Sequence, residues 1–491
     1  MPLRADSPVV TTLLAILAGA VCVFGFAPTG LWWLPLLSLA LLFHLWRRYP
    51  ARGAWLGWCY GMGYFASGIS WLYTSLHEYG GMSAWLATLA VALFSAFLAL
   101  FPALAGWLAA RTFWRAPLLL AAGWVLQEWV RSWVFTGFPW LLLGYSQVPA
   151  SPLAGYDPIG GVFLLSLLTA WSAATLQAPT RLSLSALVAL WIAGLGLQQV
   201  HWTHPDTAPL TVSLLQGDIA QDVKWQPEHL TSTLERYERM VLASHAQLVV
   251  LPETAFPLLY DQIPPVYLQV LADSARMRQA DILVGIPERD RQGHYFNSLY
   301  SLGTSPLQIY RKHHLVPFGE YVPLQSLFGS LLQLLQVPMA DFSRGSAFQP
   351  PLRVDGLRVA PDICYEDVFG NEIIHALPQA SLLINITNDA WFGRSAAPWQ
   401  HAQMSQARAL ETGRYMLRAT NTGLTAIIAP DGRLAATLPL FTAATLDGQV
   451  RGYTGTTPYV RFGDTPVLAL AALLLGSAFW RARRSPPANR A

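Results

Sequence analysis

Between Ser7 and Pro205 the chain carries only ten charged residues: Arg47, Arg48, Arg52, Glu78, Arg111, Arg115, Glu128, Arg131, Asp157 and Arg181. Soluble domains average about 25% charged residues. A stretch this long with so few cannot clothe itself in a water-compatible surface. Its apolar runs approach the roughly 20 residues a helix needs to cross a bilayer. Candidate spans are residues 9–27, 31–46, 54–76, 84–110, 117–135, 159–177, 183–200 and 466–480. From Asp206 to about Asp464 the composition becomes that of an ordinary globular domain. The expected organisation is therefore an N-terminal membrane domain of seven transmembrane helices (1–205), an α/β domain (206–462), and a C-terminal transmembrane helix with a basic tail (463–491). A formal net charge of +3, with no basic run in the polar half, argues against a nucleic-acid partner.

Arginine placement orients these spans, because short cytoplasmic loops are enriched in Lys and Arg. With Arg4 on the cytoplasmic side, the next inside segments carry Arg47, Arg48 and Arg52, then Arg111 and Arg115, then Arg181. The tail adds Arg481, Arg483, Arg484 and Arg490, while the outside loops around His77-Glu78 and across 137–158 contain no Lys or Arg. Eight spans satisfy the rule at every short loop, and the α/β domain then faces away from the cytoplasm. Within the fifth span Glu128 and Arg131 are three residues apart and share a helix face. Such intramembrane ions are either functional or a packing pair. Trp124, Trp129, Trp133, Phe138 and Trp140 cluster nearby, as an aromatic belt at the outer interface or a lining for lipid passage.

The polar half alternates strand and helix patterns, which implies a layered α/β domain. Strands are predicted at 210–215, 248–251, 281–286, 297–301, 357–363, 381–386, 415–419 and 426–429, and helices at 229–244, 265–279 and 399–413. The apolar stretch 323–339 reads as an amphipathic arm lying on a membrane or as a core helix.

Three segments depart from this pattern in the same way. Cys364 closes an apolar strand, and the residues from Val368 to Leu377 have helix-like periodicity. A strand-to-helix turn is where α/β folds present nucleophiles. Free cysteine is also commonly a small buried hydrophobe, but Cys22 and Cys59 lie in apolar runs, so Cys364 is the only thiol of the polar half. Leu248-Val249-Val250-Leu251-Pro252-Glu253 likewise ends a buried strand, with a carboxylate that can serve as a general base. Lys312 stands out by rarity: of 31 Lys plus Arg, only Lys224 and Lys312 are lysines. A retained lysine points to a site that needs a compact ammonium, although base composition alone also produces such scarcity.

Together these residues resemble the Glu–Lys–Cys triad of the nitrilase superfamily, in the order Glu253, Lys312, Cys364. With membrane spans on both sides the resemblance narrows to the bacterial apolipoprotein N-acyltransferase family and covers essentially the whole chain. The segments that carry it are Leu251-Pro252-Glu253-Thr254, the run from Lys312 to Pro323, Cys364-Tyr365-Glu366, Asn388-Asp389-Ala390-Trp391-Phe392-Gly393 and Thr136-Gly137-Phe138-Pro139-Trp140. The resemblance implies a multi-span α-helical membrane domain of about eight transmembrane helices carrying a nitrilase-like αββα sandwich. It implies an inner-membrane enzyme whose catalytic domain faces the periplasm. Such an enzyme takes an acyl chain from a phospholipid, typically the sn-1 chain of phosphatidylethanolamine, onto the cysteine. It then passes that chain to the α-amino group of the N-terminal diacylglyceryl-cysteine of an apolipoprotein. Glu253 would move protons, Lys312 would stabilise the oxyanion, and Cys364 would attack. Glu320 would be the supporting second glutamate, Tyr365 and Glu366 would shape the site, and Trp225 and Trp391 would be mobile aromatics that contact substrate.

Two other readings remain open on the residues alone. One is a membrane-tethered amide or nitrile hydrolase using the same triad with water as acceptor. The other is a transporter or lipid-binding scaffold in which Glu128 and Arg131 do the work. No cofactor is expected. His313-His314 are expected to point apart on a strand, no further His/Cys cluster completes a zinc set, and there is no Gly-rich phosphate loop of the P-loop type. A monomer is expected, since one chain supplies the whole triad.

Overall fold

Prolines set the starts of the apolar helices. In the computed structural model, which describes residues 7–112, 116–177, 179–321 and 341–484, proline occupies the first turn of α1 (Pro8–Cys22), α2 (Leu34–Arg48), α6 (Pro117–Arg131) and α7 (Asp157–Leu176). There its missing N–H costs nothing and its φ is already helical. Between α2 and α6 lie α3 (Gly53–Gly68), α4 (Ala84–Leu98) and α5 (Leu100–Thr112). The helix α8 (Arg181–Leu197) begins at a reciprocal cap, Thr180 Oγ1 accepting from Ser183 N at 3.1 Å and Ser183 Oγ accepting from Thr180 N at 2.9 Å. These helices and the C-terminal one, Thr465–Arg484, form one of two compact units.

Helices occupy all eight stretches expected to be apolar spans. Among the described residues, however, only three stretches are long and apolar enough on their own to cross a bilayer: Pro8–Gly25, Ala84–Arg111 and Pro152–Leu176. The helices Arg181–Leu197 and Thr465–Arg481 are apolar but shorter. A 15-residue helix such as α2 rises about 22 Å, short of a hydrocarbon core about 30 Å thick. The apolar stretch 323–339 and the basic residues Arg4, Arg115 and Arg490 lie outside the described residues.

Close contact between α1 and α3 is built on glycine. A Cβ at Gly19 would lie 2.0 Å from the carbonyl oxygen of Tyr60, and one at Gly63 would lie 1.9 Å from that of Ile16. In a lipid-like surrounding, where apolar side chains gain little by leaving the solvent, such backbone approach is a main source of helix–helix attraction. Glu128 and Arg131 are both buried and brace the chain that follows α6. Arg131 donates to the carbonyls of Phe138 and Trp140, each at 2.6 Å, while Glu128 Oε1 accepts from Trp124 Nε1 at 3.0 Å and Leu143 N at 2.8 Å. The aromatic cluster divides accordingly: Trp124 and Trp140 are core residues, and Trp129 and Trp133 are exposed.

The second unit comprises Thr74–Ser83 and His201–Arg461. Its strands are β1 (Thr203–Pro205), β2 (Leu210–Gln216), β3 (Leu248–Val250), β4 (Asp281–Arg289), β5 (Tyr295–Gly303), β6 (Ile309–Arg311), β7 (Leu352–Val354), β8 (Leu357–Ile363), β9 (Leu382–Thr387), β10 (Met416–Thr420), β11 (Ala426–Ile428), β12 (Leu434–Thr437), β13 (Ala444–Val450) and β14 (Tyr453–Gly455). Six strands form one sheet in the order β13-β2-β3-β4-β5-β6, six form a second in the order β12-β11-β10-β9-β8-β7, and β1 pairs with β14. The centres are parallel, β2–β3–β4 in the first and β8–β9–β10 in the second, with antiparallel edges.

Strand alternation sorts the apolar side chains into three layers. Leu210, Val212, Leu214, Leu248 and Val250 of the first sheet meet Val359, Ile363, Ile384, Ile386 and Leu417 of the second in one buried core. The opposite face of the first sheet, with Leu215, Val249, Ile282 and Val284, packs on Tyr237 and Val241 of α9 (Pro227–Ala243) and Leu271 and Ala275 of α10 (Pro265–Met277). The opposite face of the second sheet, with Ala360, Leu383, Met416 and Ile428, packs on Ala409 of α11 (Ala397–Thr412). The α/β expectation is thus realised as an αββα sandwich. The helix expected after Cys364 is not continuous: short turns at Cys364–Val368, Gly370–Ile373 and Ile374–Ala376 replace it.

Gly63→Val tests the α1–α3 contact. Overpacking a tight interface costs about 1–3 kcal/mol, so the purified variant should melt several degrees below wild type in detergent, whereas Gly196→Ala, with nothing within 4 Å of its Cβ, should melt with wild type.

Candidate active site

Open α/β sheets present ligand-binding residues at the carboxyl ends of their parallel strands. Here the two sheets bring several such ends together. Glu253 follows β3, Cys364 follows β8, Asn388 follows β9 and Asn421 follows β10, while Lys312 follows the antiparallel β6. Two of these turns bend through the left-handed region, at Thr254 (φ +48°) and at Cys364 itself (φ +57°). Non-glycine residues seldom adopt this conformation, and where they do the surroundings impose it.

A buried cation is at the centre. Lys312 is 1% exposed, its Nζ donating to Glu320 Oε1 at 2.9 Å and lying 3.5 Å from Glu253 Oε1. Burial works against its charge, but the carboxylates of Glu320 and then Glu253 hold the ammonium above its ordinary value. Asn297 Nδ2 ties the two glutamates together, donating to Glu253 at 2.7 Å and to Glu320 at 3.0 Å. The remaining oxygens are also held: Glu253 Oε2 accepts from Asn388 N at 2.9 Å and Glu320 Oε2 from Val316 N at 2.8 Å.

Cys364 is half-buried, at the start of the short turn that follows β8. Burial, reinforced by the charges of Glu253 and Asp389, pushes the thiol well above its ordinary value, while Lys312 pulls it back down. At neutral pH it is therefore a thiol that needs a base, beside a carboxylate able to act as one. The turn is closed by Glu366, which is 3% exposed. One of its oxygens accepts from Ile363 N at 2.7 Å and Tyr310 OH at 3.0 Å, the other from the backbone N–H groups of His313 at 2.6 Å and His314 at 3.0 Å. Those two histidines lie beyond β6 rather than on a strand, and their ring nitrogens face Gly345 O and Glu372. Tyr365 packs edge-on against Phe369. No group of three or more His, Cys, Asp or Glu among the described residues has the arrangement of a metal site.

The aromatics expected to contact substrate are the exposed ones: Trp225 is 56% and Trp391 38% exposed. The carbonyl of Trp391 accepts from Ser75 Oγ at 2.7 Å, and its ring meets Tyr79 edge-on. Several residues of the site escape sequence reading. Asn297 lies in a strand of ordinary appearance. Gly285 is required because a Cβ there would lie 2.6 Å from Pro252 O and Thr254 N, displacing the turn that carries Glu253. Lys224 had a legible signal in its rarity: its buried Nζ donates to the carbonyl of Glu253 at 3.2 Å, and burial lowers it to about 8 against the pull of Glu253 and Cys364.

Comparison with known proteins shows what the whole chain is similar to. Residues 18–175 match the family model of the apolipoprotein N-acyltransferase N-terminal domain, and residues 211–459 match that of carbon-nitrogen hydrolases. A Nitrosomonas europaea protein named apolipoprotein N-acyltransferase is 54% identical over 94% of this chain and 95% of its own length. Proteins of the same name from Chromobacterium violaceum and Methylococcus capsulatus are 48% and 43% identical, covering 96% and 97% of this chain and 94% and 97% of their own.

The electrostatics predict the reactivity of the thiol. Alkylation of Cys364 by iodoacetamide, followed by peptide mass spectrometry, should be slow at pH 7 and accelerate about tenfold per pH unit, as expected for a thiol whose thiolate is scarce. Lys312→Met removes the cation that favours the thiolate and should slow the reaction at least about tenfold at pH 8; an unchanged rate would show that the ammonium does not act on the sulfur.

Proposed function

The chain belongs to the apolipoprotein N-acyltransferase family, and from that membership we propose that it moves an acyl chain from a phospholipid, through a thioester on Cys364, to the α-amino group of the N-terminal diacylglyceryl-cysteine of apolipoproteins. The observation that carries this reading is the convergence of Glu253, Lys312 and Cys364 at the strand ends of the αββα sandwich, in a chain that also carries strongly apolar helices.

In the first half-reaction Glu253 takes the thiol proton, and the Cys364 sulfur attacks the ester carbonyl, typically that of the sn-1 chain of phosphatidylethanolamine. Negative charge develops on the carbonyl oxygen, and the Lys312 ammonium, with backbone N–H groups near Cys364, stabilises it. The tetrahedral species collapses by breaking the C–O bond. Glu253 returns the proton to the departing oxygen, and lysophospholipid leaves. In the second half-reaction the neutral amine of the diacylated acceptor attacks the thioester, Glu253 takes the amine proton, and the sulfur departs as the product amide forms. The proton returns to sulfur and the site is restored. Glu320 and Asn297 hold Lys312 and Glu253 through both halves. Tyr365 and Glu366 shape the turn, and the exposed Trp225 and Trp391 contact the lipids.

The chain is a membrane protein. We further propose eight transmembrane helices in the bacterial inner membrane, seven within 1–205 and one within 463–491. The catalytic domain, 206–462, then faces the periplasm, and a monomer acts alone. Arginine placement supports that orientation. Where helices are short, local bilayer thinning and snorkelling of flanking side chains accommodate the mismatch.

Detergent-purified protein incubated with phosphatidylethanolamine should gain one acyl group on Cys364, removable by hydroxylamine and discharged by a diacylated lipopeptide whose amine becomes acylated. Glu253→Gln should reduce adduct formation at least about 100-fold, the range for loss of a general base. An adduct discharged only by water would make the protein a hydrolase, and no adduct on active protein would exclude the thioester.

A further inference from the structure

Beneath Cys364 lies a set of buried charges that the steps above do not use. His401 of α11 is 1% exposed, and Asp367, Asp389 and Arg418 are each fully buried. The imidazole is clamped at both ends: Nδ1 lies 2.9 Å from Asp389 Oδ1, and Nε2 lies 2.9 Å from Asp367 Oδ1 and 3.2 Å from the carbonyl oxygen of Cys364. All three partners are acceptors, so both ring nitrogens carry hydrogen and the ring is an imidazolium. Burial and the nearby Arg418 oppose that charge, but Asp367 and Asp389 outweigh them and raise the imidazole to about 9. Arg418 of β10 completes the set, donating to Asp389 Oδ2 at 2.9 Å, Asp367 Oδ2 at 3.2 Å, Asn385 Oδ1 at 2.7 Å and Ser405 Oγ at 3.0 Å. Ser405 in turn donates to Asp367. Two carboxylates face two cations, and a third buried acid, Asp362, adjoins them through Asn385, its carboxyl pushed well above its ordinary value by burial and by Asp367.

The positions of the two aspartates give the cluster its meaning. Asp367 is on the short turn that begins at Cys364. Asp389 adjoins Asn388, whose backbone N–H holds Glu253 Oε2 at 2.9 Å. Asn385 adds a second hydrogen bond to the Cys364 carbonyl, at 3.2 Å. We infer that His401 is a positioning residue, its imidazolium bridging the turn of the nucleophile and the turn that holds the base so that Cys364 and Glu253 stay in reacting register. This rests on the acyl-transfer reading for its chemistry but not for its geometry. His401 acts through the carbonyl of Cys364 and through Asp389.

Removing the imidazolium alone leaves a buried negative excess, and His401→Gln can fail for that reason only. The informative variant is Asp389→Asn/His401→Gln, which removes one charge of each sign. In single-turnover acylation by phosphatidylethanolamine in mixed micelles, the amplitude counts competent sites and the rate constant reports the geometry of each. The double variant should keep an amplitude near that of wild type with a rate constant lower by about 100-fold, the effect of misplacing reacting groups by about 1 Å. A rate constant within about threefold of wild type would overturn the inference, as would a loss of amplitude at unchanged rate constant, because both describe a merely structural cluster. The same proteins treated with iodoacetamide separate this inference from the acyl-transfer reading. If wild type forms no acyl adduct, that reading fails while the inference still demands slower alkylation of Cys364 in the double variant; equal alkylation rates would overturn it.

Discussion

Everything in the site depends on one buried ammonium held between two carboxylates. A lysine at 1% exposure is costly unless its charge is answered, and Glu320 answers it directly while Glu253 stands slightly farther away at 3.5 Å. That inequality matters chemically. Glu320, with its second oxygen bound to Val316 N, serves as the permanent counter-ion. Glu253 lies slightly farther from the ammonium than Glu320 does, as the general base proposed for Cys364 would require. Asn297 keeps the arrangement from collapsing into a symmetric pair, since its amide spans both glutamates.

The sandwich makes this possible because two parallel sheet centres end on the same side of one core. Glu253 comes from one sheet and Cys364 from the other, so their placement is a property of sheet packing rather than of any local motif. The layer of Leu214, Val250, Ile363 and Ile386 between them is fully buried. Packing at near-crystalline density transmits small volume changes, and the register of the reacting groups inherits the rigidity of that layer.

How much of this could be read from the chain differs by residue. Cys364, Glu253 and Lys312 are legible because each is a chemically unusual residue placed where a regular apolar pattern ends. The central strands are legible because buried parallel strands are nearly continuous apolar runs. The short edge strands β6, β7 and β12 are not, since three or four residues carry too little periodicity. Asn297, Gly285, His401 and Arg418 are illegible for a different reason: each acts on a group far away in sequence, and only tertiary packing reveals the partner. The helix expected after Cys364 fails locally. Its periodicity is real, but the carboxylate of Glu366 takes the N–H of Ile363 and a left-handed φ at Cys364 starts the segment as a tight turn. The backbone of α7 is non-helical at Gly160 and Gly161, a break inside a run that composition leaves continuous.

The burial of both lysines has a consequence for selectivity. Lys224 and Lys312 are the only lysines in the chain, and they are 3% and 1% exposed. The protein's outer cations are consequently guanidinium groups, which stay protonated and do not act as nucleophiles near neutral pH. The thioester proposed for Cys364 would therefore meet no lysine amine on the protein's surface.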